Sequence, residues 1–133
     1  MKLVICKLIL IALCLCTVST HTHAESDREK ELRYKLKKQQ VEKDINEMKM
    51  ALVMYKMHIF RFPTLQEGVE ALVGSSDISK PKNYPKGGFL KRVPVDPWGN
   101  NYQYSIKPKP HFYSLGEDGK IGGTGFDKDI HIE

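Results

Sequence analysis

The sequence predicts an α+β protein in which one long helix comes first and short β-strands follow. Between residues 41 and 59, apolar residues recur in alternating steps of four and three, which is typical of one face of an α-helix. Beyond residue 80, six prolines and two glycine pairs divide the chain into pieces too short for a helix, which favours strands and turns. This order of elements indicates an α+β domain, and 133 residues are enough for one domain.

The first 24 residues have the layout of a secretory signal peptide. Lys2 and Lys7 supply a positive start, and residues 8–18 form an almost continuous apolar run. Thr22 and Ala24 occupy the −3 and −1 positions of a cleavage site. The pattern therefore predicts that residues 1–24 are removed and that the mature chain has no membrane anchor.

The alternative is an uncleaved segment, residues 3–18, that anchors the chain in the inner membrane. The apolar run of 11 residues is about half of the roughly 20 residues that a spanning helix requires. Cleavage is therefore the preferred interpretation, and we expect a periplasmic or secreted protein.

Composition excludes several classes of protein. All three cysteines lie in the first 16 residues, so the rest of the chain has no disulfide framework, zinc ribbon or cysteine nucleophile. Loss of the predicted signal peptide lowers the net charge from +5 to +3, because it removes Lys2 and Lys7 and no acidic residue. So small a positive charge argues against nucleic-acid binding, which requires a clustered basic face. The histidines are scattered and the serines have no nucleophile signature, so we expect no enzyme.

The long helix is expected from about Ser26 to His58. Upstream of its apolar face, basic and acidic residues are interleaved, which is typical of a solvated helix face rather than a site for an anionic surface. The mature chain therefore divides into a charged, solvated helix segment, residues 25–43, and a globular domain, residues 44–133. The apolar face consists of Val41, Ile45, Met48, Leu52, Tyr55 and Ile59.

The residues after the long helix predict one short helix and several strands. Phe62-Pro63 ends the long helix, because proline disfavours helical geometry in the residue before it. Thr64 and Glu67 have the spacing of a capping box. The short helix that they begin is expected to have one apolar face, made of Leu65, Val69, Leu72 and Val73. A loop from Gly74 to Lys82 follows, and strands are expected at Phe89-Leu90, Tyr102 to Ile106, His111 to Leu115 and Ile130 to Ile132.

The only tryptophan lies in a predicted turn, Asp96-Pro97-Trp98-Gly99. Proline fixes one backbone dihedral of such a turn, and glycine permits a left-handed one. We interpret Asp96 as an acceptor that caps the turn and Trp98 as a hydrophobic plug over the helix. Both roles are structural rather than catalytic.

The segment from Ser114 to Ile130 contains three aspartates and a threonine among five glycines. Glycine lets the backbone fold back and turn carboxylates and carbonyls inward, and Ca²⁺ requires six to eight such oxygen ligands. Mg²⁺ fits less well, because it takes fewer protein ligands in a stricter octahedron. The alternative is a flexible polar loop whose aspartates only form turns. The segment has no EF-hand pattern.

Several segments between about Met50 and the end of the chain, taken in order, carry a family resemblance. They are Ala51 to Lys56, Arg61 to Thr64, Glu67 to Leu72, Gly88 to Leu90, Asp96 to Asn100, Ser114 to Gly119 and Asp127 to Ile130. Together they resemble the major pseudopilin of the type II secretion system, the G component. The resemblance implies a long N-terminal helix packed on a small antiparallel β-sheet, followed by a calcium-binding loop.

The resemblance also implies a set of calcium ligands. Carboxylates would come from Asp118, Asp127 and Asp129, and backbone carbonyls from Leu115 and Lys120. Thr124 completes the implied set.

The start of the chain differs from the family's pattern. Family members carry a short basic leader, removed before a phenylalanine, and then an apolar helix that holds the subunit in the inner membrane and stacks in a filament core. Here the apolar run precedes the predicted cleavage site, and residues 25–44 are highly charged. Burial of this segment in a filament core would place many charges there, which argues against polymerisation in the usual way.

Two functions remain open. The first is a non-catalytic, pseudopilin-like structural protein that takes part in protein secretion, is stabilised by Ca²⁺, and has type II secretion components or pseudopilins as partners. The alternative is a free-standing, calcium-dependent periplasmic binding or adaptor module that does not polymerise, with its charged helix segment as the partner surface.

Overall fold

The computed structural model describes the backbone of residues 2–74 and 83–132 and the side chains of residues 26–74 and 83–132. The side chains of the predicted signal peptide, and residues 75–82 of the predicted loop, lie outside the described residues. One helix, α1, spans Lys2–Ile59. Within the described residues, two 3-10 helices span Val69–Leu72 and Gly125–Asp127, and the strands are β1 (Gln103–Ser105), β2 (His111–Ser114) and β3 (Ile130–His131).

The chain divides into two compact units, Met1–Leu36 and Lys37–Glu133. In the first unit, Tyr34 is half-buried and every other described side chain is exposed, as expected for a charged, solvated helix. Among the described residues, no helix is long and apolar enough to cross a membrane.

The globular unit begins earlier along α1 than the sequence indicates. Lys37 Nζ lies 5.1 Å from the centre of the Trp98 ring, and Val41 is completely buried. Residues 37–43, which the sequence analysis assigns to the solvated segment, therefore belong to the globular unit, because the apolar face of α1 already packs there.

The apolar face of α1 forms one wall of the hydrophobic core, as predicted. Ile59 is partly buried, and the other five predicted residues are almost completely buried. Burial of a large apolar side chain contributes about 1.5–3 kcal/mol to the free energy of folding, so this face is the main source of stability of α1. The core consists of Val41, Ile45, Met48, Ala51, Leu52, Tyr55, Val69, Ala71, Leu72, Leu90, Tyr102, Phe112 and Ile130.

The strands form one antiparallel sheet in the order β1-β2-β3. Tyr104 pairs with Phe112, and Tyr113 pairs with His131. Phe112 and Ser114 face the core, whereas His131 is exposed. This arrangement confirms the predicted α+β fold of a long helix packed on a small antiparallel sheet.

The predicted capping box is present, but the helix after it differs from the prediction. Thr64 N donates to Glu67 Oε2 at 2.8 Å, and Glu67 N donates to Thr64 Oγ1 at 3.2 Å. Gly68 then adopts φ 54°, which an α-helix does not allow, so only the 3-10 helix Val69–Leu72 follows. Leu65 is 59% exposed instead of lying on the apolar face.

Glu67 also pairs with Arg61 through two hydrogen bonds of 2.7 Å. The bonds from Arg61, together with those from Thr64, lower the pKa of the Glu67 carboxyl to about 2. This pair ties the end of α1 to the turn before the 3-10 helix.

The predicted strand Phe89-Leu90 is replaced by isolated bridges from Val73 to Gly88 and Leu90. The backbone N–H groups of Phe89 and Leu90 both donate to Leu72 O at 2.8 Å, so a single turn of helix takes the place of a partner strand. The Tyr84 hydroxyl lies 2.8 Å from Ala71 O and 2.9 Å from Val73 O. A Cβ atom added to Gly88 would lie 2.0 Å from Gly74 N, so the two segments are in direct backbone contact.

Phe60, the residue after α1, has a left-handed backbone conformation with φ 63°. Its N–H donates to Lys56 O at 2.8 Å, which closes the last turn of the helix. Glycine is usual at this position, because it has no Cβ atom to approach the following carbonyl oxygen. Asparagine is also tolerated, because its short polar side chain can hydrogen-bond locally. The Phe60 side chain is 83% exposed, so packing does little to offset this strain.

We predict that Phe60→Asn stabilises the globular unit by about 1 kcal/mol, because asparagine adopts this conformation more readily. The melting temperature should rise by about 4–8 °C, measured by circular dichroism. The matched control is Met57→Asn, which changes a 68% exposed residue inside α1 and should lower the melting temperature through poorer helix propensity. An equal change in both variants would contradict the prediction.

Candidate functional site

The predicted ligand loop, residues 115–130, connects β2 to β3 and folds back on itself. Glu117 N donates to Phe126 O at 3.4 Å, and Asp129 N donates to Gly122 O at 3.1 Å. Gly123 allows the closest approach, since a Cβ atom there would lie 2.3 Å from Asp127 O. The two halves of the loop are therefore held together through their backbones.

Two of the three aspartates accept hydrogen bonds within the loop. Lys120 N donates to Asp118 Oδ1 at 3.0 Å, and Gly122 N donates to Asp129 Oδ2 at 3.0 Å. The other oxygen of Asp129, Oδ1, is buried and has no hydrogen-bond partner. A buried carboxylate oxygen without a partner is costly, so this atom marks a place where a cation would be favourable.

The structure brings only some of the predicted ligands together. Asp129 lies against the turn at Gly122, and Asp127 N donates to Thr124 O at 3.1 Å. Asp118, Lys120, Thr124 and Asp127 are exposed, while Leu115 and Asp129 are half-buried. Among the described residues, no three His, Cys, Asp or Glu side chains converge on one point that could hold a metal ion. The three carboxylates are therefore not gathered into a closed cluster.

Asp96 anchors the start of this loop and is 4% exposed. Its Oδ1 accepts from Trp98 N at 3.0 Å and from Asn100 N at 2.8 Å, which confirms the predicted turn cap. Its Oδ2 accepts from Ser114 Oγ at 2.6 Å. Trp98 packs against the core, as predicted.

Ser114 and Asn100 extend this network into the loop. Gly116 N donates to Ser114 Oγ at 3.1 Å, and Asn100 Nδ2 donates to Gly116 O at 3.1 Å. The sequence pattern predicts no role for either side chain. A serine at a core-facing strand position is the signal that could have identified Ser114, because a buried hydroxyl requires a partner.

An open groove of about 330 Å³ lies beside α1 at Gln40 and Asp44. Its acidic residue, Asp44, accepts from Gln40 Nε2 at 2.7 Å through Oδ1 and from Tyr102 Oη at 2.8 Å through Oδ2. Burial and the hydrogen bond to Asp44 raise the pKa of the Tyr102 hydroxyl, so this hydroxyl remains a donor. Asp44 therefore acts as a structural acceptor. The groove is lined by Gln40, Asp44, Arg92, Val93, Pro94, Val95 and Pro97.

The histidines are less scattered than the sequence suggests. His111 on β2 and His131 on β3 have ring centroids 5.7 Å apart, because the two strands pair. His58 lies elsewhere, at the end of α1 against Phe89.

Comparison with known proteins identifies a family. Residues 32–133 match the family described as "Type II secretion system (T2SS), protein G". A type II secretion system core protein G of Pseudomonas aeruginosa is 50% identical over 91 residues, which are 65% of this chain and 64% of that protein. The protein of the same name in Vibrio cholerae is 42% identical over 99 residues, which are 72% of this chain and 68% of that protein. The chain thus spans about two thirds of the length of these curated relatives.

A solved structure has a similar fold. The crystal structure of the major pseudopilin from the type 2 secretion system of enterohaemorrhagic Escherichia coli superposes with a TM-score of 0.63 at 31% sequence identity. The superposition covers 75% of this chain and 89% of that chain.

We predict that Asp96→Ala lowers the free energy of unfolding by about 3 kcal/mol or more, because it removes hydrogen bonds to a charged acceptor that contribute about 1.5–3 kcal/mol each. Urea denaturation of metal-free protein measures the change. Asp127→Ala, in which an exposed aspartate is replaced, is the control and should change the value by less than about 0.5 kcal/mol. Equal effects of the two substitutions would contradict the role assigned to Asp96.

Proposed function

Because the chain belongs to the type II secretion system protein G family, we propose that it acts as a pseudopilin-like structural subunit in protein secretion. The match over residues 32–133 is the observation on which this proposal rests. The family is structural and non-catalytic, which confirms the prediction that the chain is not an enzyme.

Protein partners are supported by an exposed apolar stripe on α1. Met50, Val53, Met54 and Met57 recur at helical spacing and are 46–68% exposed, and Phe60 continues the stripe at 83% exposed. A contiguous exposed apolar surface is typical of a site of protein–protein contact. Other type II secretion components or pseudopilins are the partners that we propose, and the periplasm, inferred from the predicted signal peptide, is the compartment.

The alternative is a calcium-dependent adaptor that does not polymerise. It is favoured by the charged segment of α1 at residues 26–33. Residues 26–33 are exposed and rich in charge, and the Arg33–Glu29 ion pair lies at the surface. A segment of this kind is suited to solvent or to a charged partner rather than to the apolar core of a filament.

Deletion of the gene in the native bacterium separates the two functions. For a secretion subunit, mass spectrometry of the culture medium should show the loss of one or more secreted proteins, and the intact gene should restore them. A medium unchanged by the deletion would contradict the secretion role and favour the adaptor. Complementation with Asp118→Ala should fail if the loop is required, whereas Asp27→Ala, in the exposed charged segment, should restore secretion.

We also propose that the loop of residues 115–130 binds Ca²⁺. The unpartnered Asp129 Oδ1 supports a cation at this place, and the implied donors are all oxygen atoms, which a hard cation prefers. When bound, Ca²⁺ would supply positive charge that neutralises the loop carboxylates.

The residues proposed to hold the ion are those implied by the family. Asp118, Asp127 and Asp129 supply carboxylates, and Leu115 and Lys120 supply backbone carbonyls. Thr124, whose carbonyl accepts from Asp127 N, supplies its side chain. Since the carboxylates are not gathered into one cluster among the described residues, binding must draw the exposed Asp118 and Asp127 side chains inward.

We predict that Ca²⁺ raises the melting temperature of protein verified to be metal-free. An ion at about 100 times its dissociation constant stabilises the folded state by roughly 2.7 kcal/mol, which corresponds to about 10 °C or more in a unit of this size. Asp118→Ala and Asp127→Ala should abolish the shift, and Mg²⁺ at the same concentration should produce a much smaller one.

Asp27→Ala is the matched control, because it removes one exposed carboxylate outside the loop and should keep the full shift. Identical melting curves with Ca²⁺ and with chelator would contradict the proposed calcium site. The aspartates would then only form turns.

A further inference from the structure

Two imidazoles lie side by side on the sheet, outside the loop and the core. The ring centroids of His111 and His131 are 5.7 Å apart, with an angle of 44° between the ring planes. His131 pairs with Tyr113 across β2 and β3, and His111 lies two residues before Tyr113 on the same face. His131 is exposed and His111 is half-buried, so an ion in solution can reach both.

The hydrogen bond of His111 fixes its tautomer. Nδ1 lies 2.8 Å from Lys109 O, and because a carbonyl oxygen only accepts, Nδ1 must carry the proton. In the neutral ring, Nε2 then has a free lone pair. Metal-binding histidines typically donate their second nitrogen to a backbone carbonyl in this way, which orients the ring and raises its basicity.

The His131 ring is held by stacking. Its centroid lies 4.7 Å from that of Tyr113, and the two rings are nearly parallel at 18°. Neither ring nitrogen of His131 donates to or accepts from another residue in the described part of the chain. The ring is therefore oriented by a neighbour that leaves its nitrogens available.

The separation of the two rings suits a shared ion. With metal–nitrogen bonds of about 2.0–2.1 Å, two imidazoles on one ion have ring centroids about 5 Å apart. The observed 5.7 Å is slightly longer, so the two rings would have to move closer together when they bind one ion. We propose that His111 and His131 form a two-imidazole site for a divalent late transition-metal ion, such as Zn²⁺ or Cu²⁺, with water in the remaining coordination positions.

This site is chemically distinct from the proposed calcium loop. Imidazole nitrogens favour Zn²⁺, Cu²⁺ and Ni²⁺, whereas carboxylates and carbonyls favour Ca²⁺. The two sites should therefore fill independently, and saturation of the loop with Ca²⁺ should leave the histidine pair available.

Isothermal titration calorimetry with Zn²⁺ tests the proposal, in the full chain with saturating Ca²⁺. His21 and His23 are replaced by alanine in every sample, because they are further potential ligands. We expect one Zn²⁺ per chain. His111→Ala and His131→Phe should each weaken binding on the order of 100-fold, as expected for loss of one arm of a two-point attachment. His131→Phe keeps an aromatic ring beside Tyr113, so its effect can be assigned to the lost nitrogen.

His58→Ala is the matched control. His58 Nδ1 lies 2.9 Å from Met54 O, so its tautomer resembles that of His111, but no second histidine neighbours it in the described residues. This variant should bind Zn²⁺ as the parent does. Side-chain ¹⁵N NMR should show His111 and His131 shifting together on titration. Unchanged affinity in His111→Ala, or a shift of only one of the two rings, would overturn the proposal.

Discussion

Asp96 is the buried charge on which the C-terminal half of the globular unit depends. Its two carboxylate oxygens accept from the turn that follows it and from Ser114 at the end of β2. A buried carboxylate is tolerated only when such donors replace water. Ser114 and Asn100 then hydrogen-bond to the backbone of Gly116, near the start of the 115–130 loop. The position of that loop relative to the sheet is therefore set by one side chain outside it.

The sequence predicts the features that depend on local spacing and misses those that depend on pairing. The stripe from Val41 to Ile59 is visible because helical periodicity repeats within one segment. The pairing of Asp96 with Ser114 and the meeting of His111 and His131 depend on strand register, which spacing alone does not define. The capping box predicts a regular helix after Thr64, but Gly68 at φ 54° interrupts it. Composition and family resemblance indicate the loop aspartates, but only the folded chain shows that Asp129 Oδ1 is buried without a hydrogen-bond partner.

The two faces of α1 suggest how the protein is used. One face packs in the core. The other face leaves Met50, Val53 and Met57 exposed and ends at Phe60, which is exposed and has a strained backbone. Strained backbone conformations occur preferentially at functional positions. A partner that covered the Phe60 side chain would bury its apolar surface and so offset the strain of its backbone. The charged turns before Lys37 then distinguish this chain from a subunit whose first helix is apolar.

The contact between Gly74 and Gly88 has a practical consequence. Gly74 lies immediately before residues 75–82 and Gly88 lies six residues after them, and the two glycines are held in backbone contact. Tyr84 is bonded to the carbonyls of Ala71 and Val73. The ends of the intervening segment are thus fixed by interactions made outside it. Doubling the length of such a segment adds only about 0.6 kcal/mol of loop-closure entropy. An epitope or a fluorescent reporter could be inserted there to follow the protein in living cells while its core, loop and histidine pair stay intact.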